Sequence, residues 1–216
     1  MRAKRLLVIN PNTTVAITDR FVAEARLAAP PATIIKGVTS STGPAVISTV
    51  SENDAAAAVV LDLLRQHWGD HDAVVLAVSF DTALSEARRT VPIPVIGITE
   101  ASLRMAARTP GPIGLLTYGR ASLPLYEAIV GRSFMWDRVA GIETIEAGSI
   151  SAYLNPSAAL AREAIGRLSS AGAHSVVICG AAFAGSARRW QSEIGTPLID
   201  CSAPAVLAAL EAVRDL

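Results

Sequence analysis

The stretch DAVVLAVSF (residues 72–80) has a counterpart in HSVVICGAAF (residues 174–183), and this internal likeness decides the fold. The offset is 102 positions, as between Leu76 and Ile178. Two more pairs match at nearly the same spacing, namely VPIPVIGITEAS with IGTPLIDCSAPA (91–102 and 194–205) and, more loosely, KRLLVINPNT with GPIGLLTYGR (4–13 and 111–120). A period of this length exceeds that of solenoid repeats and predicts two copies of one larger unit.

Short β-branched runs alternate with longer Ala- and Leu-rich stretches, which predicts an α/β fold with largely parallel sheets. We expect strands near residues 5–9, 33–38, 73–78, 93–98, 112–117, 138–145, 174–179 and 197–201. The repeat assigns them to two pseudo-symmetric lobes, each a four-stranded, mainly parallel sheet flanked by helices. The first lobe comprises residues 1–99 plus 203–216 and the second residues 100–202. The alternative is a single sheet in which the likeness reflects only the shared βα pattern.

Composition narrows the class of function. The 216 residues are 51% hydrophobic and carry 19 basic and 19 acidic side chains, so no net charge attracts nucleic acid or an anionic membrane. No apolar run approaches the roughly 20 residues of a membrane span, and the N-terminus does not resemble a signal peptide, which predicts a cytoplasmic protein. The two cysteines and three histidines show no metal-ligand spacing, so we expect no metal site. A small molecule is the expected partner.

Ligands of such sheets bind beyond the carboxyl ends of the strands, here in the loops after residues 9, 78, 117 and 179. In the first loop, INPNTT (9–14), Asn10 suits a helix N-cap and Pro11 the first helical position. Asn12 and Thr13 add polar groups near free backbone N–H donors, a setting that favours an anionic oxygen. The alternative is that the Asn-Pro pair merely starts a helix.

Three other loops carry candidate residues. The segment 39–47, TSSTGPAVI, is either a lid over the cleft or a connector. Ser79 and Phe80 follow the third strand, and the next residue, Asp81, is either a base or the cap of the next helix. Thr117 and Tyr118 are the corresponding hydrogen-bond donors of the second lobe, unless Tyr118 is simply a partly buried aromatic.

The chain resembles the aspartate/glutamate/hydantoin racemase superfamily, most closely its hydantoin and allantoin racemase branch. The matching segments run in order along nearly the whole chain: INPNT (9–13), GPAVI (43–47), DAVVLA (72–77), DTAL (81–84), PVIGITEA (94–101), GAHSVVI (172–178) and PLID (197–200). The resemblance implies a cofactor-free enzyme, a small substrate between two lobes and a homo-oligomer. It also implies one cysteine after the third strand of each lobe, one thiolate removing a proton beside a carbonyl while the other thiol returns one.

The sequence departs from this pattern at both cysteines. An ungapped match places Val78 at the first cysteine position and Gly180 at the second, with Cys179 on the glycine that precedes it in the family. The two vacated positions are also 102 residues apart, as the internal repeat requires. Gly180 and Ala181 then belong to the substrate-binding loop rather than to the acid–base pair.

A slip of one residue in each loop would instead set Ser79 against Cys179 as the catalytic pair. Successive side chains of a strand point to opposite faces, so the unslipped register turns Cys179 into the core. Ser79 is a weak acid with no histidine near in sequence to activate it. Cys201 falls on a family glycine and is expected to be a packing residue.

Three functions remain. The first is an isomerase of this superfamily whose thiols are replaced by other groups, with Tyr118, Asp81 and Glu100 as candidates. The second is a carbon–carbon lyase resembling arylmalonate decarboxylase, and the third is a binding protein without proton transfer. Few charges lie in the predicted loops, which favours a neutral cyclic ureide or a monoacid over a dicarboxylate, unless Arg120 turns inward.

Overall fold

Two four-stranded sheets form the centre of the protein. The computed structural model describes residues 2–133 and 135–214. The strands are β1 (Arg5–Asn10), β2 (Ile34–Thr39), β3 (Ala73–Leu76), β4 (Val95–Gly97), β5 (Ile113–Tyr118), β6 (Val139–Ile145), β7 (Ser175–Ile178) and β8 (Leu198–Asp200). All eight lie where the sequence predicts, and their ends differ from the predicted ones by at most two residues.

The helices are α1 (Val15–Ala28), α2 (Val50–His67), α3 (Leu84–Thr90), α4 (Ile98–Ala106), α5 (Leu123–Arg132), α6 (Ile150–Leu154), α7 (Ala158–Ser170), α8 (Ser186–Trp190) and α9 (Ser202–Ala212). Over the described part of the chain, no helix is both long enough and apolar enough to cross a membrane.

The sheet order shows the internal repeat directly. One sheet has the order β2-β1-β3-β4 and the other β6-β5-β7-β8, and every pairing is parallel. β3 and β7, the strands of the matching segments, hold the same place in their sheets. The single-sheet alternative is therefore wrong, and the prediction of two similar α/β lobes is confirmed.

Each sheet is covered on both faces, which explains why its inner strands are apolar throughout. Side chains of β3 alternate between the two sides, so that Val75 packs in the core shared with α1 and α9, whereas Val74 and Leu76 pack with α2. In β7, Val177 faces the core of α4 and α5, while Val176 and Ile178 face α7. This alternation decides where the residues just after each strand point.

The helices α4 and α9 link the two lobes. α4 follows β4 but buries Leu103 and Ala106 against the second sheet. α9 follows β8 but packs on α1, β3 and β4 of the first lobe, where Val206 and Ala209 join the core. The helix that follows the last strand of each sheet therefore packs on the other lobe. The division at residues 99/100 and 202/203 stays a prediction.

The first helix begins later than expected. Asn10 is the last residue of β1, paired with Thr39, and α1 starts at Val15 with Thr14 as its N-cap. The intervening turn is held by Asn12, whose Oδ1 accepts hydrogen bonds from Asn10 Nδ2 (2.9 Å) and from the Thr14 N–H (3.0 Å). Placing Asn10 as N-cap and Pro11 at the first helical position was therefore wrong, because strand pairing extends through Asn10.

Candidate active site between the two lobes

The loops after β1, β3, β5 and β7 meet between the sheets and enclose a cavity of about 40 Å³. The first lobe contributes Asn12 and residues 77–80, and the second contributes Thr117, Tyr118 and residues 179–182. Carboxyl ends of the strands in both sheets face this space, as expected for ligand sites in α/β folds. A cavity of this size holds only about two or three water molecules.

Two segments cover the cavity. Val46, Ile47 and Ser48 come from the loop before α2, and Tyr153 comes from α6. The first segment is fastened to the β1 loop, because Pro44 O accepts from the Thr13 N–H (3.0 Å) and Thr14 Oγ1 donates to Ala45 O (2.7 Å). The loop that the sequence left as lid or connector therefore covers the site.

The lining is polar without being charged. Among the described residues around the cavity there is no Asp, Glu, Lys, Arg or His. The polar side chains are those of Asn12, Ser48, Ser79, Thr117, Tyr118 and Tyr153. Arg120, the cation considered for an inward position, is exposed and does not line the cavity. The site offers hydroxyl and amide groups to a ligand and no countercharge for a carboxylate.

Val78, which the resemblance predicts at the first cysteine position of the family, contributes hydrocarbon to one wall of the cavity. Its side chain is 5% exposed and belongs to the apolar cluster that includes Leu76 and Leu84. No group that can exchange a proton stands at this position.

Gly180, which the resemblance predicts at the second cysteine position of the family, has a backbone that only glycine adopts easily. Its φ is +121° and its ψ is 138°. A Cβ built on Gly180 would lie 3.0 Å from Ser79 Oγ. The hydroxyl of Ser79 therefore occupies the space beside Gly180 that a side chain at this position would need.

Cys179 borders the cavity, but it packs in the core between the second sheet and α4 and α5. It is 1% exposed, clusters with Leu103 and Tyr126, and its Sγ lies 3.6 Å from Val177 O. Burial, reinforced by the negative charge of Asp81, raises the pKa of the thiol and keeps it protonated. The slipped register that pairs Ser79 with Cys179 is not the one the structure has, because strand alternation turns residue 179 inward.

Both thiols are expected to be unreactive in the folded protein. Cys179 and Cys201 are buried, and Cys201 Sγ donates to Gly180 O at 3.2 Å. Labelling with a thiol-reactive disulfide reagent should therefore be at least about 100-fold slower in buffer than in denaturant. One rapidly labelled thiol in buffer that disappears in Cys179→Ala would instead place Cys179 in the cleft.

Asp81 and Glu100, two candidate replacement groups, lie outside the cavity. Asp81 accepts hydrogen bonds from the backbone N–H groups of Thr99 (3.1 Å) and Glu100 (2.8 Å), so it caps α4 rather than the next helix, α3. Burial raises the pKa of Asp81 to about 7, against the effect of these two hydrogen bonds. Glu100 pairs with Arg88 (3.1 Å) and Arg104 (2.7 Å) in a neighbouring groove beyond Phe80.

Tyr118 does line the cavity but is already engaged. Its ring stacks on Phe183 with centroids 4.1 Å apart, and its hydroxyl lies 3.2 Å from Ala152 O and 3.3 Å from Tyr153 O. Burial raises the pKa of Tyr118, so the phenol stays protonated. Tyr118 is therefore a binding and packing residue and a poor base.

Most of the predicted binding residues meet in this space. The cavity is lined by Asn12, Ser79, Phe80, Thr117, Tyr118, Gly180 and Ala181. Asn10 and Thr13 do not line it. Asn10 is fully buried and donates to Thr18 Oγ1 (3.0 Å), and Thr13 contacts Pro44. Their polar groups are used to hold the loop itself.

Sequence reasoning named the segment 39–47 as a possible lid but missed its counterpart in the second lobe, Tyr153. Ile47 and Tyr153 each lie eight positions beyond the end of the second strand of their lobe, β2 or β6. This equivalence is a signal that the repeat contained. Ala182, which was not named although it lies in the segment 174–183, and Ile17, which no motif marks, also line the cavity.

Contacts across the lobes hold the loop after β7. Arg20 on α1 donates to Ala182 O at 3.1 Å, and Glu24 pairs with Arg188 on α8 at 2.7 Å. On the other side of the site Thr99 Oγ1 donates to Ser79 O at 2.5 Å, the counterpart of the contact between Cys201 and Gly180. The backbones of Ser79 and Gly180 are thus fixed while the Ser79 side chain faces the cavity.

The residues described in the structure include no cluster of three or more His, Cys, Asp or Glu side chains able to hold a metal ion. The donors of the site are hydroxyl, amide and backbone groups. They suit a ligand oxygen better than a cation.

Comparison with known proteins gives these features a context. A family model described as Asp/Glu/Hydantoin racemase matches residues 6–209. The chain belongs to the Asp/Glu/hydantoin racemase family. It is 29% identical to a hydantoin racemase of Paenarthrobacter aurescens over 91% of this chain and 85% of that protein, and 30% identical to a hydantoin racemase of a Pseudomonas species over 91% and 80%.

A solved structure of allantoin racemase from Klebsiella pneumoniae is similar over 98% of this chain and 88% of that one, with a TM-score of 0.89 and 28% identity. The prediction of the family and of its hydantoin and allantoin branch is confirmed. The hydantoin and allantoin racemases to which the chain is similar support a racemase-type function for it.

Proposed function

We propose that this racemase-family protein acts without a cofactor on the carbon beside a carbonyl of a small cyclic ureide, such as a hydantoin, or of a small monoacid. The observation that carries the proposal is the Ser79 hydroxyl, which stands against Gly180 in a pocket lined by uncharged polar groups. The names of the similar racemases support the ring class of substrate.

The lining supports an uncharged ligand. A dicarboxylate needs cations or several directed N–H donors to offset its loss of hydration, and no Lys or Arg is among the described lining residues. A cyclic ureide presents carbonyl oxygens and N–H groups, which hydroxyl and amide side chains such as Ser79, Thr117 and Asn12 can satisfy. The apolar Ile17, Val46 and Val78 suit the rest of a small ring.

The chemistry differs from that of a two-thiol site. With Val78 and Gly180 at the two positions, no thiolate faces the substrate from either side. Hydroxyl donors still stabilise the negative charge that develops on a carbonyl oxygen when the neighbouring carbon loses its proton. We therefore expect proton exchange at that carbon to be slow, since no side chain of ordinary basicity lies at the cavity to remove it.

Deuterium incorporation in heavy water tests this function. The wild-type protein should exchange the carbon-bound proton of 5-substituted hydantoins or allantoin, and Ser79→Ala should lower the rate about 100-fold because a donor to the developing oxyanion is lost. Cys179→Ala should leave the rate unchanged. Absence of exchange above the uncatalysed rate for all these compounds and for amino acids would contradict the proposal, and release of carbon dioxide from substituted malonates would replace it with a lyase.

One observation favours a second candidate, a binding protein without turnover. Burial raises the pKa of both tyrosines at the cavity, Tyr118 and Tyr153, so neither supplies a base near neutral pH. Saturable binding of a hydantoin, seen by calorimetry, together with no deuterium exchange would identify this function.

A further inference from the structure

Tyr126 on α5 carries an unsatisfied hydroxyl directly behind the site. The residue is fully buried, and its phenol oxygen has no hydrogen-bond partner. Among the described residues only His71 Nδ1 is also a buried side-chain polar atom without a partner, and it precedes β3, at the end of the sheet opposite the cavity. A buried hydroxyl without a partner is unfavourable and uncommon, so its presence calls for a physical reason.

The surroundings of Tyr126 connect it to the cavity. Its ring packs edge-on against Phe80, with centroids 5.3 Å apart, in the same cluster as Cys179. The hydroxyls of Thr117 and Ser79 lie near enough to the phenol to lower its pKa, although neither is in hydrogen-bond geometry with it. Both line the cavity. Burial raises the pKa of Tyr126, so the phenol keeps its proton and remains a donor.

The direction of the hydroxyl protons then matters. Ser79 has one O–H proton and two acceptor lone pairs. The backbone carbonyl of Ser79 already accepts a hydrogen bond from Thr99, and the Ser79 Oγ faces the space beside Gly180. When the Tyr126 phenol donates to Ser79 Oγ, the Ser79 proton is left to point at a ligand. A chain of hydroxyls ordered in this way strengthens each donor along it.

We propose that Tyr126 is a positioning residue, which donates its hydroxyl proton to Ser79 Oγ when a ligand is bound and so directs the Ser79 O–H at a carbonyl or enolate oxygen of that ligand. The inference rests on the proposed function for the identity of the ligand. It adds a residue outside the cavity to the machinery of the site. Ligand binding satisfies the hydroxyl that the unliganded protein leaves without a partner.

Removal of the Tyr126 hydroxyl should weaken ligand binding without lowering the stability of the protein. Because the phenol oxygen makes no hydrogen bond in the unliganded protein, Tyr126→Phe should unfold at the same denaturant concentration as wild type or at a higher one. Affinity for hydantoin, measured by calorimetry, should nevertheless fall about 5- to 10-fold, the worth of one neutral hydrogen bond. A residue that is merely structural would lower stability and leave the affinity of the folded protein unchanged.

A double variant tests whether Tyr126 acts through Ser79. Ser79→Ala combined with Tyr126→Phe should bind hydantoin no more weakly than Ser79→Ala alone, because the phenol then has no hydroxyl to direct. Additive losses would overturn the proposal, and so would unchanged affinity in Tyr126→Phe. As a matched control, Ser169→Ala removes a hydroxyl that is bonded to Ile165 O (2.9 Å) far from the lining residues. It should lower stability and leave affinity unchanged.

The proposed function and this inference fail in different ways. If wild type binds neither hydantoin nor allantoin, the ligand class is wrong. The unfolding experiment then decides the inference by itself: loss of stability in Tyr126→Phe shows that the hydroxyl is already bonded in the ligand-free protein and overturns it, and unchanged or increased stability supports a hydroxyl kept free for a ligand.

Discussion

Replacing Gly180 by alanine is expected to lower the free energy of unfolding by about 2–3 kcal/mol, which corresponds to a melting temperature lower by about 5–10 °C. Two effects add. The φ of +121° is strained for any residue with a Cβ, and that Cβ would lie 3.0 Å from Ser79 Oγ. Thermal unfolding followed by circular dichroism measures the shift. Because Ser79 must move, deuterium exchange should fall as well.

Two other glycines separate these effects. Gly172 has a φ of +96° and nothing within 4 Å of its Cβ position, so Gly172→Ala reports the cost of the backbone alone. Gly166 lies within helix α7 with open space around it, and Gly166→Ala should stabilise the protein by about 0.5–1 kcal/mol. If Gly180→Ala proved no more harmful than Gly172→Ala, Ser79 would not occupy the space beside Gly180. The same reasoning predicts that Gly180→Cys alone does not restore a catalytic thiol.

The stability of the protein should fall by about 4 kcal/mol between pH 4 and pH 8 through Asp81 alone. Burial raises its pKa in the folded state to about 7 from 3.8. Below pH 3.8 the carboxyl is protonated in both states and imposes no penalty. As the pH rises towards 7 the unfolded chain releases this proton while the folded chain retains it, so the folded state loses stability until the pH passes the folded pKa.

Asp81→Asn should remove this pH dependence, because an amide does not ionise. At pH 4 the wild-type carboxyl is itself protonated and, like the amide, has one carbonyl acceptor for the two N–H groups of α4, so the two proteins should differ by less than about 1 kcal/mol. At pH 8 the variant should be the more stable of the two. The control Glu86→Gln removes a half-exposed carboxyl paired with Arg89 and should give a curve parallel to wild type. Parallel curves for Asp81→Asn would show that its carboxylate is ionised throughout.

The fold could be predicted from the sequence because the repeat and the strand patterns are local signals. Buried parallel strands such as LLVI in β1 and AVVL in β3 read as apolar runs wherever they occur. The start of α1 could not be predicted in the same way. Asn10 has a high preference for N-caps, but pairing with Thr39, a residue distant in sequence, keeps it in the strand.

Part of the candidate site could also be predicted from local signals in the sequence. Positions after the ends of β3, β5 and β7 follow from strand ends, and Ser79, Thr117 and Gly180 do line the cavity. Residues that reach the site from other elements, such as Ile17 on α1, carry no local mark. Asp81, which the sequence left as a base or as the cap of α3, instead caps α4, since only the packing of β4 beside β3 brings the N-terminus of α4 to its carboxylate.

The sequence by itself determined the two-lobed α/β architecture and the family, because these depend on periodicity and on the order of segments along the chain. That Val78 and Gly180 stand at the family's cysteine positions stays a prediction from the same order of segments. Only the tertiary structure decided which groups meet there. It set Ser79 against Gly180 and brought Tyr126 behind the site. These contacts join residues of different strands and helices, and their geometry follows from packing that no local pattern in the chain specifies.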